Sequence, residues 1–234
     1  SKELAARWKE GLLGSGLAPA TVNAKLSALN GLFRFLGWED CRVRFLKLQR
    51  RAFRDPARDL TREEYGRLLE TANRQGRGRL ALLLETICAA GLRVSEVRCI
   101  TAEAVLAGRA EIRLKGKIRT ILLPGKLCRK LLKYAKKQKI ASGEIFLTRS
   151  GKAISRRQIW HEVKALCGEA KVAPSKVFPH NLRHLFAAIF YRATRDIVKL
   201  ADVLGHSSIN TTRIYLLSTG EEHVRQLDRM GLVS

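Results

Sequence analysis

Apolar residues recur at helical spacing through most of the chain, and the recurrence is lost in one stretch too basic and too irregular to continue it. Leu4, Ala5, Trp8 and Leu12 mark one stripe, and Val22, Leu26, Leu29, Leu32, Phe33 and Leu36 a second, at the spacing of a single helix face. They predict helices over residues 3–13 and 20–36, the second started by Thr21 after Pro19 and ended by Gly37. From Arg42 to Arg58 the period is lost, lysines and arginines crowd together, and Pro56 acts as a breaker. The pattern restarts after Leu60, where Thr61 is followed three residues on by Glu64, the signature of a capping box. The chain therefore divides into a helical pair over residues 1–52, too small to hold a large core, a basic linker over 53–59, and a second domain over 60–234.

That second domain is predicted to be mainly helical. Helices are expected over 61–74 and over 77–89, where Leu80, Leu83, Leu84 and Ile87 indicate burial and Gly91 closes the end. Three β-prone pieces follow, Val97–Thr101, Ala110–Leu114 and Ile118–Leu123, the last two joined by the tight turn Lys115-Gly116-Lys117. Helical patterns resume over about 125–138, 155–170, 181–193, 195–203, 208–217 and 221–229. The fold class is α+β, mainly α with a small antiparallel β-sheet.

Charge narrows the partners. Lysine and arginine total 45 against 21 acidic residues, a formal charge of +24, and the basic residues run from Lys2 to Arg229. Such a field favours a polyanion, and nucleic acid is the commonest. No apolar run reaches the roughly 20 residues that span a bilayer, and the N-terminus lacks a signal-peptide layout, so the cytoplasm is the expected compartment and no membrane partner is expected. The five cysteines, Cys41, Cys88, Cys99, Cys128 and Cys167, include no C-x-x-C pair and are read as reduced, mostly core residues. The chain opens at Ser1 inside a helical pattern and has the single methionine Met230, so further sequence is expected upstream.

Cutting a DNA phosphodiester without a metal needs a nucleophile, cations on the nonbridging oxygens and an acid for the leaving oxygen. Cutting with metals needs clustered carboxylates, which this chain does not space for two ions. Ser150-Gly151-Lys152 resembles part of a phosphate loop, but Phe146 stands where that loop needs glycine, so no nucleotide site is expected. No metal or other cofactor is predicted.

The informative strings are Gly91-Leu92-Arg93-Val94-Ser95-Glu96, Pro179-His180-Asn181-Leu182-Arg183-His184, Leu204-Gly205-His206-Ser207-Ser208 and Thr211-Thr212-Arg213-Ile214-Tyr215. In order and spacing they resemble the tyrosine recombinase, or phage integrase, family. The resemblance implies that Arg93, His180, Arg183 and His206 surround the scissile phosphate and that Tyr215 is the nucleophile. It implies a catalytic domain preceded by a truncated helical core-binding domain, a 3′-phosphotyrosyl intermediate, and rejoining without ATP or another cofactor. It also implies a general-acid lysine in the hairpin turn, for which Lys115 is preferred and Lys117 is the alternative. Glu96 falls where the family keeps an acidic residue that orients its neighbours.

The residues support the match on their own chemistry. His180 and Arg183 are one helical turn apart and share a face, and two arginine forks grip phosphate oxygens as a lysine does not. An ordinary phenol, with a pKa of about 10, needs a base and positive surroundings, and His180 is the expected helper. Tyr215 is expected near the end of a short helix capped by Ser207 or Ser208, beside Arg213. His184 is read as a packing or hydrogen-bonding residue.

Lys47, Arg50, Arg51 and Arg54 of the basic stretch, and Arg213, are expected to contact DNA phosphates. By resemblance the partner is double-stranded DNA with paired recombination half-sites, bound by a homotetramer. The segment 220–234 then docks on a neighbouring protomer through the apolar stripe of Leu216, Leu217, Val224, Leu227 and Met230. Two other readings carry the same charge: a type IB topoisomerase, which relaxes DNA as a monomer, and a non-catalytic DNA-binding protein. The L-G-H-S wording favours the recombinase over the first, and the complete residue set disfavours the second.

Overall fold

A computed structural model describes residues 1–48, 56–114, 117–148, 150–206, 208–215, 224 and 228–230. The chain forms two compact units, Ser1–Ala52 and Phe53–Ser234.

In the first unit α1 (Lys2–Gly14) packs against α2 (Pro19–Phe35). Ala5, Val22, Leu26 and Phe33 are its buried apolar residues. The irregular stretch after α2 is held by two asparagines of that helix. Asn30 exchanges two hydrogen bonds with the backbone of Val43, both 2.9 Å, and Asn23 does the same with Leu46 at 2.8 and 3.0 Å. A side-chain amide carries the same donor and acceptor as a peptide, so each asparagine substitutes for a neighbouring strand.

The second unit contains α3 (Arg62–Arg74), α4 (Gly78–Ala90), a 3₁₀ helix (Val94–Cys99), α5 (Ala102–Leu106), β1 (Arg109–Leu114), β2 (Lys117–Leu122), α6 (Gly125–Lys137), α7 (Arg156–Lys164), α8 (Pro179–Thr194), α9 (Ile197–Leu204) and α10 (Ile209–Arg213). The capping box at Thr61 has both of its bonds: Glu64 N–H donates to Thr61 Oγ1 at 3.2 Å and Thr61 N–H to Glu64 Oε2 at 2.9 Å. Helix α4 is buried almost all round, with Leu80, Leu83, Leu84 and Ile87 at 2% exposure or less, and is the axis of the core. Strands β1 and β2 pair antiparallel from Arg109↔Leu122 to Leu114↔Lys117. The five cysteines are free, with Cys88 and Cys167 buried.

Three local expectations are corrected. Val97–Thr101 is not a strand: residues Val94–Cys99 form the 3₁₀ helix, and Thr101 contributes one isolated bridge to Glu144. The reason is the spacing of Val94, Val97 and Ile100, which repeats every three residues, the 3₁₀ period, and buries all three. Helix α7 stops at Lys164, and the chain turns through Lys171 at φ 51°, although Leu166, Cys167 and Ala170 prolong the apolar pattern. Helix α10 ends at Arg213, so Tyr215 lies in the turn beyond it; of the helix expected over 221–229, only Val224, Asp228 and Arg229 are among the described residues, and all three are helical.

Candidate active site

Two helix C-termini converge on Arg183. Helix α4 ends on Gly91 and α9 on Gly205, both left-handed at φ 58° and 63°. At Gly91 glycine is also required by space, since a Cβ would lie 2.6 Å from the Phe186 ring of α8. Such ends leave carbonyls unpaired and carry partial negative charge. Arg183, 1% exposed, donates from Nη1 to the Gly91 carbonyl and from Nη2 to the Leu204 carbonyl at 2.7 Å. Burial, and then the charge of Arg93, lowers its pKa. The buried guanidinium is held by helix-end carbonyls.

Arg93 starts the 3₁₀ helix, and its backbone N–H and Nη1 donate to the Glu96 carboxylate at 2.7 and 2.8 Å. The Glu96 side chain is 2% exposed, whereas that of Arg93 is 41% exposed, so the carboxylate anchors a cation that still faces solvent. Leu92, Arg93, Val94, Ser95, Arg156, His180 and Arg183 line an open cleft of about 140 Å³. Helix α8 begins at Pro179, two residues earlier than expected, which puts exposed His180 in its first turn and buried Arg183 one turn on.

On the other side of Arg183 stand His206 and Tyr215. Arg183 Nη2 lies 3.0 Å from His206 Nε2, and His206 Nδ1 lies 2.9 Å from the buried Thr212 Oγ1. A guanidinium has no acceptor, so Nε2 carries the lone pair and the ring proton sits on Nδ1, donated to Thr212. Burial first, then Arg183, Arg93 and Arg119, push the His206 pKa down to about 4, which keeps the ring neutral at physiological pH. Because the folded pKa is below the ordinary value, this histidine's contribution to stability is complete above about pH 6.5 and is lost as the pH falls toward 4.

Tyr215, 8% exposed, packs nearly parallel to His206 with ring centroids 5.8 Å apart and edge-on to His184 at 4.5 Å. Its phenol also interacts electrostatically with the Arg183 guanidinium. Arg183 thus joins the cleft to the histidine–tyrosine pair.

Sequence reasoning missed Arg119 of β2, which donates from Nη2 to Glu96 at 3.1 Å and from Nη1 to the Leu204 carbonyl. It also missed Arg156, the first residue of α7, which lines the cleft. Neither belongs to a motif, and in the sequence both are single arginines among many. Lys115 lies outside the described residues, as does the side chain of Lys117, whose backbone opens β2. Arg213 and Lys47 are exposed, and Arg50, Arg51 and Arg54 lie outside the described residues. Among the described residues no group of three His, Cys, Asp or Glu stands where it could hold a metal ion, and no helix is long and apolar enough to cross a membrane.

The second, mostly helical unit thus brings two helix-end glycines, paired arginines, two histidines and a tyrosine together about the buried Arg183. The chain belongs to the phage integrase family, whose model matches residues 58–222. It is a tyrosine recombinase. It is 33% identical over 230 residues to the tyrosine recombinase XerA of Thermococcus kodakarensis, covering 95% of this chain and 79% of that protein. With the tyrosine recombinase XerC of Erythrobacter litoralis it shares 32% identity over 213 residues, 86% of this chain and 69% of the relative. In fold it resembles the XerH site-specific recombinase in its pre-cleavage complex with difH substrate, with TM-score 0.69 and 23% identity over 96% of this chain and 69% of that one. Lambda integrase residues 75–356, a dimer bound to a COC′ core site, gives TM-score 0.69 and 17% identity over 92% and 79% of the two chains.

Proposed function

We propose that the chain cuts and rejoins double-stranded DNA at paired recombination half-sites, with Tyr215 as nucleophile and Arg93, His180, Arg183 and His206 around the phosphate. The observation that carries this reading is Arg183, whose guanidinium lines the cleft beside Arg93 and His180 while also contacting His206, the ring that packs on Tyr215. A phosphate gripped by Arg183 comes to rest beside the phenol.

The Tyr215 oxygen attacks phosphorus, its proton passes to His180 as the base, and the bond to the 5′-oxygen breaks. Arg93 and Arg183 hold the nonbridging oxygens as charge builds, each contact being worth roughly 3 kcal/mol of barrier. Glu96 keeps Arg93 aimed. Lys115, or Lys117 in its place, protonates the departing 5′-oxygen. Rejoining reverses these steps, because the phosphotyrosyl bond retains the ester's energy. Four protomers assemble on two sites in the cytoplasm, each docking its 220–234 segment on a neighbour, and the Ser1–Ala52 unit with its Lys47, Arg50 and Arg51 grips the duplex together with Arg54 beyond it.

The protein incubated with a nicked suicide duplex, in EDTA and without ATP, is expected to give a detergent-stable protein–DNA adduct with a free 5′-hydroxyl. Strict dependence on a divalent cation would overturn the reading. A duplex with a 5′-phosphorothiolate at the scissile position separates the lysines, since a better leaving group needs no acid. We expect it to restore cleavage to Lys115→Ala, with Lys117→Ala losing little on the ordinary duplex; the opposite pattern assigns the acid to Lys117.

A further inference from the structure

We infer that Arg119 is a positioning residue for strand cleavage: by gripping Glu96 and the Leu204 carbonyl together, it fixes the Gly205–His206 turn against the arginine pair. The inference rests on the reading that Arg183 and His206 act on the scissile phosphate.

Arg119 joins three segments that are distant in sequence. It sits in β2, two residues after Lys117. Its Nη2 shares the Glu96 carboxylate with Arg93, and its Nη1 shares the Leu204 carbonyl with Arg183. Moving Arg119 therefore disturbs one oxygen partner of each phosphate-facing arginine.

The fit to the next residue is close. Gly205 is left-handed, and a Cβ there would overlap Arg119 Cδ and come within 3.2 Å of its Cγ and Nη1. The arginine stem lies across the glycine, and His206 follows directly. The L-G-H-S glycine is thus required both by its dihedral angle and by the side chain that crosses it.

The arrangement is costly as a plain brace. The Arg119 side chain is 10% exposed, its buried Nε has no hydrogen-bond partner, and burial lowers its pKa to about 10 despite Glu96. Buried ion pairs are often replaceable by apolar residues without loss of stability, so this cation is better explained by the geometry it imposes. Arg119 is not among the residues that line the cleft, so it acts through Glu96 and Leu204.

The test is single-turnover cleavage of the suicide duplex at saturating DNA, with DNA affinity and thermal unfolding measured separately. Arg119→Gln is expected to slow cleavage on the order of 30- to 100-fold while affinity changes by less than about 3-fold. Arg119→Lys, which keeps the charge but reaches only one of the two oxygens, is expected to recover about a third of the loss on a logarithmic scale. Gly205→Ala removes no hydrogen-bonding group but displaces the arginine stem, and it is expected to slow cleavage likewise at unchanged affinity. Three results would overturn the inference: cleavage by Arg119→Gln within about 3-fold of wild type, a loss expressed wholly as weaker DNA binding, or a loss that tracks the folded fraction. Failure of the wild-type protein to form any adduct would instead overturn the recombinase reading itself.

Discussion

Tyr215→Phe is expected to reduce the covalent protein–DNA adduct to background while leaving the duplex bound. The substitution keeps the ring that packs on His206 and His184 and removes only the phenolic oxygen. Non-covalent affinity for the half-site should stay within about 3-fold, because the phosphate-facing arginines are untouched. The measurement is a detergent gel of the nicked suicide duplex, run beside a filter-binding or mobility assay. An adduct forming at the wild-type rate in the phenylalanine variant would remove Tyr215 from the role of nucleophile.

Arg183→Lys has the second largest expected effect and acts on two properties at once. The wild-type guanidinium reaches the Gly91 and Leu204 carbonyls and His206, and an unforked ammonium of shorter reach meets one of them at most. Cleavage is expected to fall about 100-fold or more, the loss of a transition-state contact worth roughly 3 kcal/mol. Stability should fall as well, by about 2–4 kcal/mol, because buried helix-end carbonyls lose their donor. In a chain of this size that lowers Tm by roughly 4–16 °C. Arg93→Lys offers the contrast: its side chain is 41% exposed, so cleavage should suffer with a smaller change in Tm. Wild-type cleavage by folded Arg183→Lys would refute the phosphate-gripping role.

Much of the site was legible because its strings are local. His180 and Arg183 are separated by one helical turn, and that spacing alone puts them on one face wherever the helix packs. The capping box at Thr61, the helix-end glycines Gly91 and Gly205, and the hairpin between β1 and β2 likewise depend on residues within a few positions of each other. The misreadings arose where a local pattern fitted two structures. Val94, Val97 and Ile100 suit a buried strand by composition, and their three-residue period places them in a 3₁₀ helix, where the Glu96 carboxylate can close on the Arg93 N–H. Tyr215 follows exposed Arg213 by two residues, yet it is buried between two histidine rings. Burial of a turn residue depends on what packs over it.

The sequence by itself determined the helical class, the division near the basic stretch and the identity of the motif residues, since each follows from composition or short-range spacing. Only the tertiary structure decided what those residues touch. The Arg183–Gly91 contact spans 92 positions and the Arg119–Leu204 contact 85. The proton of His206 sits on Nδ1 because a buried arginine occupies Nε2. Contacts of that range depend on how the helices pack into one core, and no local periodicity encodes which carbonyl a distant guanidinium will meet.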